Sequence, residues 1–449
     1  MSEPNILLDA LLDEAGISRA GLASRINRRT SEMGKPTQYD HTSVGRWVDK
    51  SAIPRGDTPS LICELIGHKL GRTLTLADIG MNRALPTHED APLRRTVDSA
   101  IALWRGDLKQ STRVSQRTNT LHGAAAIAPV FEWENPPDDI DVSHHGTAAV
   151  GMSDVDRIRD ARNTYEQMYR RVGGVPVRPR IVQFLSRRAA PLLRGTFDDR
   201  TGRELYRAVG GLVALAGISA YDSDHQALAQ RYFLHALRMA KASGQRSFGG
   251  YVVALLANQA MYRGNLRLVI QYAETALRGA RGELSPALVS DLHTLQAKAY
   301  ARIGDATSCH RHMRAAERGA ARIDPASEPR ETGYVQPGLI ETQHADALRR
   351  LGDLKAAQDY AEEAVATASA SHLRGQAHRY ATLALVLSQR GEAEAAIAIG
   401  DEMLQRAEGM ESARIHDRVV TVARALQTHD STAVRAFLER VRHQAGTSL

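Results

Sequence analysis

The chain is short of the residues that several classes of protein depend on. It has two cysteines in 449 residues, Cys63 and Cys309, and they lie in different segments. That excludes a disulfide framework and makes a reducing compartment the natural setting. Aromatic residues make up 5% of the chain while alanine is abundant, a composition that suits stacked helices better than β-sandwiches. The apolar run at residues 212–220 falls far short of the roughly 20 residues that a spanning helix needs. Glu3, Asp9, Asp13 and Glu14 are not the basic start of a secretory signal. The expectation is a cytoplasmic protein with no membrane partner.

The signatures of common catalytic sites are missing too. The sequence contains no Gly-x-x-x-x-Gly-Lys-Ser/Thr phosphate loop, no Gly-x-Ser-x-Gly elbow and no His-Glu-x-x-His helix. Cys309-His310-Arg311-His312 offers metal-ligand residue types, but neighbours on one helix diverge around its axis and cannot converge on one ion. Cys309 also takes a small-residue packing position, so a core role is expected, not zinc. His144-His145 has no ligand spacing, and none of the 17 histidines is singled out. Neither an enzyme nor a cofactor is expected.

What is present is a repeat. Gly264, Gly304, Gly352 and Gly391 mark short turns spaced by 40, 48 and 39 residues. Seven residues before each glycine sits Ala257, Ala297, Ala345 or Ala384. Five after sits Val269, Cys309, Ala357 or Ala396, and twelve after sits Ala276, Ala316, Ala364 or Met403. Small side chains at fixed offsets around a turn let two antiparallel helices approach closely, and their recurrence points to a helical solenoid. Turns near residues 222–224 and 429–430 extend the series to about six helix pairs. The longest interval contains Asp324-Pro325 and Glu328-Pro329, the mark of a loop insertion. A long concave surface is suited to binding.

Charge is unevenly placed. Residues 157–207 hold 13 arginines against 5 acids, an excess of +8, so the rest of the chain sums to −1 given the total of +7. The favoured reading is a helical surface with ion pairs inside the protein; phosphate or an acidic partner is the alternative. The sequence thus divides into a small helical bundle at 1–83, a partly helical basic connector at 84–203 that is a candidate for dimerisation, and a repeat domain at 204–449. Within the connector, residues 92–108 carry Val97, Ile101 and Trp104 at helical spacing, and residues 124–133 form an apolar run before Asn135-Pro136-Pro137.

In the bundle, Ile6, Leu7, Leu11 and Leu12 give one helix an apolar face, ended by Gly16. Ser18 is an N-cap for a second helix carrying Leu22, Ala23 and Ile26. A polar stretch from Asn27 to Gln38, with Gly34 and Pro36 as breakers, leads to a third helix through Trp47. Two short helices are expected near 59–70 and 74–80. Residues 25–55 carry 7 basic and 3 acidic residues, an excess of +4. The segments Ser18-Arg19-Ala20-Gly21-Leu22-Ala23-Ser24-Arg25-Ile26 and Thr42-Ser43-Val44-Gly45-Arg46-Trp47, followed by Ile53-Pro54-Arg55, resemble the helix-turn-helix of lambda-repressor-like (XRE) regulators. The resemblance implies that Gln38, Tyr39, His41, Thr42 and Arg46 face double-stranded DNA, while Arg28, Arg29, Lys35, Lys50 and Arg55 hold its backbone. The connection between the second and third helices is longer than in the common motif.

A wider resemblance rests on Phe131-Glu132-Trp133, Asp154-Val155-Asp156-Arg157-Ile158-Arg159, Pro191-Leu192-Leu193-Arg194-Gly195, Leu215-Ala216-Gly217, Leu228-Ala229-Gln230-Arg231-Tyr232-Phe233 and Ala236-Leu237. These are similar to a large actinobacterial family that joins an XRE-type domain to tetratricopeptide-like repeats and regulates development and secondary metabolism. The resemblance implies an all-α, nucleoid-associated transcriptional regulator, homodimeric on paired half-sites, with a peptide or small-molecule effector in the repeat groove. In tetratricopeptide repeats the first helix of each pair lines the groove, which places Tyr251, Asn258, Tyr262, Asp291, Lys298, Arg302, Asp346, Arg349 and His378 there as candidates. The competing function is a protein-interaction scaffold without sequence-specific DNA binding.

Overall fold

The computed structural model describes residues 4–33, 36–54, 57–72, 74–76, 78–81, 93–109, 119–280, 282–368, 372–429 and 431–445. The chain divides into two compact units, Met1–Asp90 and Ala91–Leu449. Among the described residues both are helical, and no strand exceeds an isolated bridge such as His144 with Phe197.

Among its described residues the first unit is a bundle of four helices. α1 (Ile6–Ala15) begins where the Asn5 side chain accepts from the Leu8 N–H, and it stops at Gly16, whose φ of 62° is left-handed. α2 (Arg19–Glu32) is capped by Ser18, α3 (His41–Asp49) by Asp40, and α4 (Thr58–Leu70) carries Pro59 in its first turn. Leu8, Leu22, Ile26, Val44, Ile62 and Ile66 close the core, each contributing about 1.5–3 kcal/mol by leaving water. α2 runs past the polar stretch that suggested its end, because Arg28, Arg29, Ser31 and Glu32 face solvent and the first breaker comes only at Gly34. The segment expected as a last helix forms turns over its described residues, with Ile79 and Met81 still packed in the core.

The second unit opens with α5 (Leu93–Lys109), α6 (Ala124–Glu134), α7 (Met152–Val172) and α8 (Gly174–Phe184), which continues through a π-turn at Leu185–Ala189 into the short α9 (Ala190–Leu192). Six consecutive pairs follow: α10 (Asp199–Asp222) with α11 (Gln226–Ser243), α12 (Arg246–Tyr262) with α13 (Leu266–Gly279), α14 (Pro286–Ile303) with α15 (Ala306–Ala320), α16 (Leu339–Leu351) with α17 (Leu354–Ala366), α18 (Leu373–Gln389) with α19 (Ala393–Ala407), and α20 (Ala413–Leu426) with α21 (Thr432–Ala445). The first helices of successive pairs pack on one another, as a solenoid requires. The repeated small residues sit where the offsets predict: all twelve are at most 1% exposed. Gly264, Gly304, Gly352 and Gly391 have φ between 76° and 90°, and a Cβ at any of them would meet nothing within 4 Å. Backbone handedness, not space, therefore demands glycine at these turns.

The segment before the pairs is fastened to them. Trp133 of α6 sits against Gly249 of α12, where a Cβ would fall 1.9 Å from the indole nitrogen. The Tyr272 hydroxyl donates to the Ala126 carbonyl at 2.6 Å, and Arg246 donates to the Trp133 and Glu134 carbonyls. Eight of the thirteen arginines in residues 157–207 make ion pairs within the chain, including Arg178 with Asp107 at 3.1 Å and Arg207 with Glu331.

The two ends of the solenoid also meet. Asp222, fully buried in the turn of the first pair, accepts from the Gly174 N–H at 2.8 Å, from Arg374 at 2.5 Å and from the Ser412 hydroxyl at 2.7 Å. Arg414, at the start of the last pair, bonds Asp224 at 2.9 Å and lies 3.5 Å over the Tyr262 ring. The Glu411 N–H donates to Val172, and a Cβ on Gly173 would strike the Glu411 carbonyl at 2.5 Å.

Candidate functional site

Two regions collect the residues singled out by sequence. The first is α3. At about 100° per residue, Ser43, Val44, Trp47 and Val48 occupy one arc and are buried, while His41, Thr42, Arg46 and Asp49 occupy the opposite arc and are exposed. Asp49 is occupied by Arg19, which forks onto it at 2.8 and 3.0 Å and ties α2 to α3. Asp40 caps the helix by accepting from the Ser43 N–H at 2.8 Å and its hydroxyl at 2.7 Å. Those bonds hold the Asp40 carboxyl below its usual range.

Gln38, Arg28 and Lys50 are exposed as well. Arg29 is exposed but shared between Glu64 at 3.1 Å and Glu32 at 3.4 Å, pairs weak enough for another anion to displace. Tyr39 is half-buried: its ring meets Trp47 edge-on at 5.0 Å and its hydroxyl lies 3.2 Å from Thr58. Lys35 and Arg55 lie outside the described residues. The residue that fixes the α2–α3 connection is Asn27, which sequence reasoning passed over as loop. Its amide donates to the Tyr39 carbonyl at 2.7 Å and accepts from the Tyr39 N–H and the Thr37 hydroxyl, both at 2.9 Å. An asparagine on a helix face that otherwise turns apolar was the signal available.

The second region is the inner face of the solenoid. Asn258 is exposed there, and Tyr262 is 41% exposed with its hydroxyl donating to Asp417 at 3.0 Å. Tyr251 and Asp291 are covered. The insertion between α15 and α16 folds inward, so that the Tyr334 hydroxyl donates to Asp291 at 2.6 Å and the Tyr334 ring lies 6.4 Å from that of Tyr251. Burial pushes the Asp291 carboxyl up, against the pull of that bond. Lys298 is buried and donates to Gln343; burial lowers it to about 8. Burial opposes the ionisation of Asp346 as well, yet Arg418, Arg349, Lys298 and Arg350 together hold its carboxyl well below the usual range. His378 is pushed well below its ordinary value by burial and by Arg374 and Arg418. Arg302 donates to the Met261 carbonyl at 3.0 Å, and Arg349 to Asp346 at 2.8 Å. Arg302, Arg349 and Arg350, with Ala301 and Gln389, line a cavity of about 550 Å³.

No group of three or more His, Cys, Asp or Glu side chains suited to a metal occurs among the described residues. Cys309 packs in the core with Met313, Ala347 and Ala357, and burial pushes its thiol up to about 11. No helix among them is long and apolar enough to cross a membrane. Residues 8–82, almost the whole of the first unit, match the family model described as the SP15 N-terminal domain. No curated protein matches the chain.

Proposed function

We propose that the chain is a sequence-specific DNA-binding transcriptional regulator of the XRE helix-turn-helix class, acting as a homodimer in the cytoplasm at the nucleoid. Its tetratricopeptide-like solenoid would hold a small-molecule or peptide effector that alters operator affinity. The observation that carries this reading is the exposed arc of α3. His41, Thr42 and Arg46 stand on a helix whose other side is locked into a core by Val44, Trp47 and Val48. A helix anchored on one side, with exposed polar groups on its outer face and exposed cations in the same bundle, is what major-groove readout requires.

The test is a gel shift of genomic fragments across a salt series. Selected fragments should bind tightly, with affinity falling as salt rises. Arg46→Ala should weaken operator binding by about 1–3 kcal/mol while moving the stability of the first unit by less than about 0.5 kcal/mol. Equal binding by wild type and Arg46→Ala would remove α3 from the interface. Binding that ignores sequence and vanishes at modest salt would make the first unit a protein-docking module.

A further inference from the structure

The open arginine-lined cavity at the C-terminal ends of α14, α16 and α18 has more positive charge than its surroundings use. Arg302, Arg349 and Arg350 stand in the last turns of α14 and α16, and Gln389 ends α18. Three other guanidinium groups, Arg350, Arg418 and Arg349, act on Arg302 and, after burial itself, press its pKa downward; a single carboxylate, Asp346, acts the other way. Three helix C-termini contribute roughly half a negative charge each. Four guanidinium groups against one carboxylate and those ends still leave the site positive.

The hydrogen bonds point the same way. Arg302 and Arg349 each have a buried Nε with no acceptor within the protein. Arg349 is nine-tenths buried: its side chain is 10% exposed, and its one bonded acceptor is Asp346. Arg302 spends one terminal nitrogen on the Met261 carbonyl and Arg349 one on Asp346, which leaves their other terminal nitrogens for an oxyanion whose geometry the guanidinium fork matches. The cavity volume falls in the range typical of small-molecule sites.

We propose that this cavity binds a small molecule with clustered negative charge, either adjacent phosphates or adjacent carboxylates, gripped by Arg302, Arg349 and Arg350. The proposal deepens the effector reading above and rests on it only for its regulatory meaning. The anion accepts from these guanidinium groups and joins two successive helix pairs, α14–α15 and α16–α17, through one ligand.

Calorimetric titration of the full chain in 150 mM salt (chosen to suppress binding to exposed cations) with inorganic pyrophosphate and, separately, with tricarballylate tests it. One of the two should bind at one site per chain, and which one binds identifies the oxyanion. Arg350→Gln, at a side chain 37% exposed and therefore tolerant of change, should weaken that binding at least tenfold. Arg349→Lys, which keeps the charge and loses the fork, should weaken it as well. No heat from either anion, or equal affinity in wild type and Arg350→Gln, would overturn the site. A gel shift on the same preparations separates the two ideas. Anion binding without operator binding leaves the site standing and removes the regulator. Operator binding without anion binding removes this site alone.

Discussion

The two units treat charge in opposite ways. The first keeps its ionic groups outside a dry core: Arg19, Arg29 and Arg72 pair with carboxylates at the surface, and every such side chain is 40% exposed or more. The second draws charge inward, with Arg162, Asp222, Asp291, Lys298, Asp346, Arg379 and Arg414 all buried. Exposed pairs contribute little and are easily exchanged for another partner, whereas a buried pair is committed and expensive to break. Surface charge in the first unit is thus available for recognition. Interior charge in the second is mostly consumed by structure, although Arg178, Arg302, Arg349, Arg374 and Arg414 each keep a buried Nε without an acceptor.

The largest expected effect that separates the units comes from Asp222→Ala. It would leave Arg374 buried without its carboxylate and strip acceptors from Gly174 and Ser412, at a cost of about 3–5 kcal/mol to the second unit. Urea titration read by tryptophan fluorescence can assign the change, since Trp47 reports the first unit and Trp104 and Trp133 the second. Movement of the Trp47 transition in step with the others would mean that the units do not respond separately.

Acid should come next. His344 is fully buried, and burial lowers its pKa to about 4 from an ordinary 6.5. Between those values the unfolded chain takes up a proton that the folded chain refuses. The contribution is therefore fully present above pH 6.5 and is lost as pH falls, reaching on the order of 3 kcal/mol near pH 4. His312 and His372, also near 4, act in the same direction, while His41 and His68 of the first unit are exposed. His344→Leu should flatten the acid dependence in thermal melts at pH 7 and 5 and cost little at pH 7, because neither ring nitrogen has a hydrogen-bond partner. An unchanged slope would assign the dependence to other groups.

The smallest effect is one in which the units should agree. Gly16 ends α1 with φ 62° and Gly304 ends α14 with φ 90°, and a Cβ at either would meet nothing within 4 Å. Gly16→Ala and Gly304→Ala should each cost about 1–2 kcal/mol, each in its own unit, from left-handed backbone strain alone. Asparagine at either position should recover part of the loss in the same denaturation experiment.

Local rules carried much of this architecture. Ser18, Asp40, Gly16 and the four turn glycines mark helix ends through chemistry confined to a few neighbouring residues, and the twelve small residues follow from helices that must touch. The outer arc of α3 was legible for the same reason, since periodicity alone separates it from Trp47. What sequence could not show depends on distance along the chain. Asp222 and Ser412 are 190 residues apart, and nothing local to either announces the other. Tyr251 and Asp291 read as groove residues because helical phase says which way they point. It does not say that Tyr334, from an insertion beyond both in sequence, folds over them. The 84–203 segment read as a partly helical connector, and nothing in its apolar run at 124–133 announced that Trp133 finds a seat made by the absent side chain of Gly249.

The meeting of Asp222 with Gly174, Arg374 and Ser412 bears on how a signal can travel. An open coil transmits by stretching, each hairpin adding a small rotation to the last. A hoop whose ends are clasped has lost that freedom and stays rigid until the clasp gives way. Any change in its curvature has first to break that set of bonds, which ties Asp222 to Gly174, Arg374 and Ser412, Arg414 to Asp224, and Glu411 to Val172.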